Sequence, residues 1–563
     1  MEVLIIMKKD NSQQLAILGG GPAALFIFKR LVDRGLPHQN ITIFEKNDRL
    51  GYGMPYGHNG AADEHVTNVS GNEIPELMSD LADWIKKVPK DTLDKYHIDP
   101  GNFNDYKVLP RLLFGQYLND QFNQLLKQAR EKGIETTVCY KSIVADVIDD
   151  PVKRKIKVLL EDDRGFDFDR VVICTGHLWP FRYEGKVKGW FDSPYPPAKI
   201  SIRVNHAVAI RGSSLTAIDA IRTLGRHNGT FEKIDGKLCF TADDPNFKIV
   251  MYSRNGLLPA VRFHLEDSHL GKETVLPAEE VEAVRAQHEG FLPLDYVFEK
   301  NFKAGILRQD PEFYEQIKEM NMETFVDWIM EQRAQAAPFE LLKEEYAEAE
   351  QSIKKRESVY WKEMLAILSF AMNYPAKYFS AEDWLRMQRK LMPLISVVIA
   401  FVPQSSAETL LAMHQAGKLE LLAVGEDGSF EPGEDGGAVI DGTHYQTFVD
   451  CIGQPHLKYE ELPYPGLLQN RTVSPARLRF RDPEKGRQMM SDDQQKVVTD
   501  DQKNYYLTVP GVSINDSFQA VDEFNALNER IYIMAVPFIG GFNPDYSGLD
   551  FCEAASKAII DSL

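Results

Sequence analysis

Leu15 to Lys46 reads LAILGGGPAALFIFKRLVDRGLPHQNITIFEK. The apolar run Leu15 to Leu18 is short enough for a buried parallel strand, and it passes through a glycine turn into a helix and a second strand ending in an acid. That order is the sequence form of a dinucleotide-binding unit. Gly19, Gly21 and Ala24 fill its small positions: the first permits a tight turn, the second lets backbone approach a pyrophosphate, and the third lets the helix pack close to the strand. The helix N-terminus then offers free N–H groups and a partial positive charge to the phosphates. Glu45, closing the second strand, is placed to accept hydrogen bonds from a ribose diol.

The chain has 563 residues, 44% of them hydrophobic, which implies two or three domains with ordinary cores. Lys and Arg number 64 against 83 Asp and Glu, and the net charge of −19 argues against a nucleic-acid partner, which needs clustered cations. The five cysteines (Cys139, Cys174, Cys239, Cys451, Cys552) form no C-x-x-C pair and no metal-ligand spacing. They point to a reducing compartment, to no metal site and away from dithiol reductases. MEVLIIM is far shorter than a secretory core, and no stretch reaches about 18 uninterrupted apolar residues, so a cytoplasmic chain without a membrane span is expected.

A second unit begins near Ala207. AVAIRGSSLTAIDAIRTLGR repeats the strand, the small-residue turn (Gly212, Ser213, Ser214) and the helix, and FKIVMYSRNGLLP supplies its next strand. That strand ends in Ser253 and Arg254 where the first unit carries Glu45. Serine plus guanidinium suits a 2′-phosphate, so the second nucleotide is expected to be NADPH. RVVICTGHL (170–178) and TFVDCIGQP (447–455) read as strands leading back to the first unit. From Glu266 to about Met392 the pattern becomes charged and amphipathic, a helical insertion whose Tyr and Trp residues read as core. The expected division is 1–200 for the first part of one nucleotide domain, 201–445 for the second domain with its insertion, and 446–563 for the remainder of the first.

These units stand beside RLGYGMPYG (49–57), HVTNVSGNEIPELMSD (65–80), VLPRLLFGQYL (108–118), VVICTGH (171–177), GSSLTAID (212–219), SRNGLLP (253–259) and GLDFCEAASKAI (548–559). With them the chain resembles the flavoproteins that have two dinucleotide-binding domains, in particular a bacterial FAD-NAD(P)-binding family related to ornithine and lysine N-hydroxylases and flavin-containing monooxygenases. The resemblance implies an α/β fold of two Rossmann-like domains, one for FAD and one for NADPH, with a mainly helical insertion in the second. It puts Pro22, Ala23 and Lys46 with Gly19, Gly21, Ala24 and Glu45 on the ADP half of FAD, and Arg49 and Gly53 on the way to the flavin. Arg111 begins a segment lying against the cofactor, and Thr175 and Gly176 join the same cradle. Gly541 to Asp550 covers the flavin ring, where a helix starting near Gly548 and Leu549 points its N-terminus at the end that gains negative charge on reduction.

By the same likeness Gly212, Ser213, Ser214 and Thr216 hold the NADPH pyrophosphate. Ser214 replaces a common glycine and loosens that approach. Thr67 and Asn68 are similar to the Thr-Asn pair that flavin-containing monooxygenases place beside the flavin. Asn68 is the catalytic candidate, its amide bonding a flavin oxygen adduct or the nicotinamide; capping a turn is its alternative role. His65 and His177 read as structural. The linker GWFDSPYPP (189–197) lacks the Baeyer-Villiger signature. The expected reaction is NADPH reduction of FAD, then oxygenation of a small nucleophilic substrate by O2 through a flavin hydroperoxide. A flavin reductase or oxidase without oxygenation, and a non-catalytic FAD-binding scaffold, are the alternatives.

Overall fold

The protein is described from a computed structural model that covers residues 13–35, 39–265, 276–493, 496–545 and 548–563. The opening strand, turn and helix form as the pattern demands: β1 (Gln13–Leu18), α1 (Pro22–Arg34) and β2 (Gln39–Phe44). Gly35 ends α1 in the left-handed conformation, its N–H donating to the Leu31 carbonyl. Ala16, Ile17 and Leu18 are fully buried, as in a parallel strand covered on both faces. Leu25, Phe26, Ile27 and Phe28 on α1 are buried too, each large side chain contributing about 1.5–3 kcal/mol.

Strands β3 (Val66–Ser70) and β4 (Val108–Pro110) pair antiparallel, and β4 runs directly into α2 (Arg111–Glu131). β5 (Glu135–Cys139) adds beyond β2, while β6 (Arg170–Ile173) pairs with β1 on its other side, Leu18 opposite Ile173. The second sheet is built from β7 (Ala207–Arg211), followed by α3 (Leu215–His227), then β8 (Lys248–Ser253), β9 (Leu419–Ala423) and β10 (Thr447–Asp450). Its order is Trp190–Phe191, β10, β7, β8, β9, with every neighbour parallel. The chain then returns to the first sheet, where β11 (Leu527–Ile533) pairs with β6 and carries Gln519–Val521 antiparallel at the edge. Finally α4 (Gly548–Ser562) packs on α1, where Arg30 pairs with Glu553 and donates to Ser556 Oγ at 2.9 Å.

Two expectations are corrected. Thr447–Asp450 does not lead back into the first sheet: it lies beside β7, with Arg211 opposite Asp450, just as β6 lies beside β1. With Trp190–Phe191 also in the second sheet, the crossings fall between Ile173 and Trp190 and after Asp450, rather than at 200 and 445. The helical insertion runs on to Val398, past 392, with a core of its own around Phe298, Phe302, Phe325 and Leu391. The part of it expected at 266–275 lies outside the described residues, as does MEVLIIM. The insertion also reaches the first unit: Trp384 Nε1 donates to the Gly541 carbonyl at 3.0 Å, and Tyr378 donates to Asp516 at 2.8 Å.

Candidate functional site

Gly19 follows β1 with φ +98°, and a Cβ there would lie 2.9 Å from the Cys174 carbonyl oxygen. Glycine is required twice over. Gly20 was not singled out by sequence, yet a Cβ on it would overlap buried Leu50, and its N–H donates to Glu45 Oε2 at 2.7 Å. Asn47 donates to the other oxygen of Glu45 from both its backbone and its side chain at 2.7 Å. The acid thus closes the floor of the turn. Gly21 and Gly53 approach backbone to backbone, a Cβ on the first lying 3.3 Å from Cα of the second. Pro22, Ala23 and Ala24 open α1, whose first turn carries no acid and whose cap Gly21 offers no side-chain acceptor. Its leading N–H groups are left for an anion. Lys46 and Arg49 are exposed at the rim.

The second unit repeats this construction. Gly212 has φ +113°, and a Cβ on it would lie 2.6 Å from the Cys451 carbonyl oxygen, the counterpart of Cys174. Ser214 caps α3 without a side-chain bond, and the first turn again carries no acid. Ser213 Oγ is taken by the Leu257 carbonyl at 2.7 Å, and Ser253 Oγ accepts from Gly256 N–H at 3.1 Å, so both hydroxyls fix the loop that carries Arg254. Arg254 is exposed, and Thr216 is partly buried near Gly453.

The segments that follow β6 and β10 join each other. Leu178 N–H donates to Gln454 Oε1 at 2.8 Å, Gln454 Nε2 donates to the Leu178 carbonyl at 2.7 Å, and Trp179 Nε1 donates to the Gly453 carbonyl at 3.2 Å. The carboxyl ends of both sheets, where open parallel sheets bind ligands, therefore meet at one place. Beside it, among the described residues, Thr175 Oγ1 and His177 Nδ1 are buried and meet no partner at bonding geometry, with Tyr464 and Gln454 as their polar neighbours, and Gly176 faces open space. Buried orphan polar atoms and bare glycine backbone fit a polar ligand laid along this crevice. Burial also holds His177 below the usual histidine range.

Arg111 opens α2 and reaches the second unit. Its guanidinium donates to both Asp219 oxygens, at 2.5 and 3.1 Å, and its Nε donates to the Val66 carbonyl at 2.9 Å. With all three nitrogens engaged inside the protein, it joins the two units. Asp219 also accepts from Tyr195 Oη at 2.6 Å. Burial pushes the Asp219 carboxyl up, but Arg111 and its hydrogen bonds outweigh this and hold it below the usual range. His65 is a structural histidine: Nδ1 accepts from Ala62 N–H, and Nε2 lies 3.0 Å from Thr223 Oγ1 and 3.2 Å from the Asp219 carbonyl. Burial lowers its pKa.

Thr67 Oγ1 donates to the Val69 carbonyl at 2.6 Å and accepts from Leu109 N–H at 3.0 Å, so it serves the β3–β4 ribbon. Asn68, next to it, is exposed, and its backbone carbonyl is held by Arg262. Gly541 is buried against Val509 and Pro510, and Leu549 is buried on α4. Gly548 is exposed with φ +55°; residues 546–547, the approach to that helix, lie outside the described residues. Asp219, Tyr195 and Arg262 carried no sequence signal, because their partners are far away in the chain.

Residues 16–178 match the FAD-NAD(P)-binding family, and residues 277–399 match the YdhS-like middle domain. Protein YdhS of Escherichia coli (strain K12) is 28% identical over 469 residues, covering 81% of this chain and 86% of its own. Among solved structures, cadaverine monooxygenase DfoA of Erwinia amylovora, bound to FAD, is 10% identical with a TM-score of 0.42, covering 97% of this chain and 93% of its own. A cyclohexanone monooxygenase mutant from Rhodococcus sp. Phi1, bound to NADP+, is 12% identical with a TM-score of 0.39, covering 78% and 72%.

Proposed function

We propose that this chain, whose residues 16–178 are an FAD-NAD(P)-binding domain and whose residues 277–399 are a YdhS-like middle domain, is an NADPH-using flavin oxidoreductase that oxygenates a small nucleophilic molecule with O2. One observation carries this reading: two glycine turns of the same build, at Gly19 and Gly212, stand over crossings that hydrogen-bond to each other through Leu178 and Gln454. Nucleotides laid on both turns share a single crevice.

FAD, when bound, accepts two electrons from NADPH and passes them to O2. The chain's own residues bind and orient. Gly19, Gly21 and the start of α1 hold the flavin pyrophosphate, and Glu45 the ribose. Gly212, Ser214 and the start of α3 hold the second pyrophosphate, while Arg254 takes a 2′-phosphate in the bidentate manner that suits a guanidinium. Asn68 presents an exposed amide from a strand whose other groups are pinned. Thr175 and Gly176 supply a hydroxyl and bare backbone beside the first turn.

The test is an absorbance spectrum of the purified protein, then anaerobic titration with NADPH and NADH, then rapid mixing of the reduced protein with O2. A yellow protein bleached by NADPH, giving a transient species on meeting O2, is the expected result. Bleaching without a transient leaves a reductase or oxidase. A yellow protein that NADPH does not bleach leaves a scaffold.

A further inference from the structure

We propose that Asp219 is a positioning residue: through Arg111 it fixes the strand carrying Thr67 and Asn68 against the second nucleotide unit, and so sets the geometry of electron transfer between the two nucleotides. This rests on the flavin reading above. Asp219 lies in the second turn of α3, the helix that starts at the second glycine turn, and it is 5% exposed. Three separate pieces of chain converge on it. Arg111, at the start of α2, grips it with two nitrogens while its Nε holds the Val66 carbonyl of β3. Tyr195, just after Trp190–Phe191 of the second sheet, donates to it at 2.6 Å. His65, immediately before β3, lies against its backbone carbonyl at 3.2 Å.

The far end of β3 is held from the second unit as well. Arg262, 4% exposed, donates to the Asn68 carbonyl, to Ser70 Oγ at 3.0 Å and to Glu73. β3 is therefore clamped at both ends, with the Asn68 carbonyl itself held in the second clamp. A buried carboxylate is costly unless fully bonded, and Asp219 keeps all its bonds only when the start of α2, the Tyr195 segment and α3 are in register. The position of Asn68 relative to the second turn is thus set by this network, and small displacements of reacting groups have large kinetic effects.

Asp219→Asn, made in the full chain, is expected to keep its flavin content while the rate of anaerobic flavin reduction at saturating NADPH falls about tenfold with little change in KM. Asp219→Glu recovers part of that rate. Adding Arg111→Met to Asp219→Asn lowers it no further, because the two act as one unit. A merely structural role lowers the unfolding temperature and leaves the rate per bound flavin within about twofold; that result overturns the proposal. If Asp219→Asn does not fold, Tyr195→Phe, which deletes one bond and no charge, carries the test: slower reduction supports the proposal and an unchanged rate overturns it. A wild-type protein that takes up no FAD overturns both this inference and the functional reading, whereas a normal flavin with an unaltered variant rate overturns this inference alone.

Discussion

Arg111 and Asp219 join the two nucleotide units by a two-pronged ion pair whose side chains are only 14% and 6% exposed. At such burial the loss of one partner strands the other. Arg111→Ala is expected to destabilise the protein by about 3–5 kcal/mol, and replacing both members with apolar residues of similar size, Arg111→Met with Asp219→Leu, to recover most of it. Denaturant midpoints for the two variants decide the matter. Equal losses mean that the stranded charge is not the cause.

The two glycine turns are expected to fail separately. Gly19→Ala puts a Cβ 2.9 Å from the Cys174 carbonyl oxygen at φ +98°, and Gly212→Ala puts one 2.6 Å from that of Cys451 at φ +113°. The first variant should lose FAD on purification. The second should keep FAD and lose NADPH affinity, as read by spectrum and by equilibrium titration. Loss of FAD in both contradicts a division of labour between the turns.

Arg254 is exposed beside a loop fixed by Ser213 and Ser253. Arg254→Ala should weaken NADPH by about 1.5 kcal/mol, or about tenfold, and leave NADH nearly unchanged. Equal weakening of both coenzymes removes the 2′-phosphate assignment.

Burial pushes His456 down to about 4, and a Cβ on the neighbouring Gly540 would overlap its Nδ1. An unfolded histidine titrates near about 6.5, so between these values the unfolded chain binds the extra proton. The contribution is whole above about pH 6.5 and declines as pH falls toward 4, by up to about 3 kcal/mol. His65 and His177, lowered for the same reason, act with the same sign. Unfolding temperatures measured from pH 7.5 to 4.5 should fall, and fall less in His456→Gln. An unchanged slope in that variant places the acid sensitivity elsewhere.

The nucleotide units were legible in the sequence because their signals are local: Gly19 and Gly212 each come directly after the last residue of a strand and precede a helix. The insertion was legible from its helical pattern, and its end was misplaced because helix continues through Met392–Val398. What the sequence hid is pairing across distance. Thr447–Asp450 could as well lie in either sheet until its register with Val208–Arg211 is seen. Nothing near Arg111 in the chain signals its partner Asp219, which lies 108 residues on. Gly20 was masked by flanking glycines, although it is Leu50, not a ligand, that excludes its side chain.

The first sheet is assembled from both ends of the chain, with β11 beside β6 and α4 against α1. During synthesis those last elements leave the ribosome only after the whole second unit and its helical insertion, so β6 waits as an unpaired apolar edge for several hundred residues. The second unit is the piece able to finish first, and the half that carries the first glycine turn matures last. Closure across so long a loop is slow, and until it happens the edge of β6 stands open to strands of other chains.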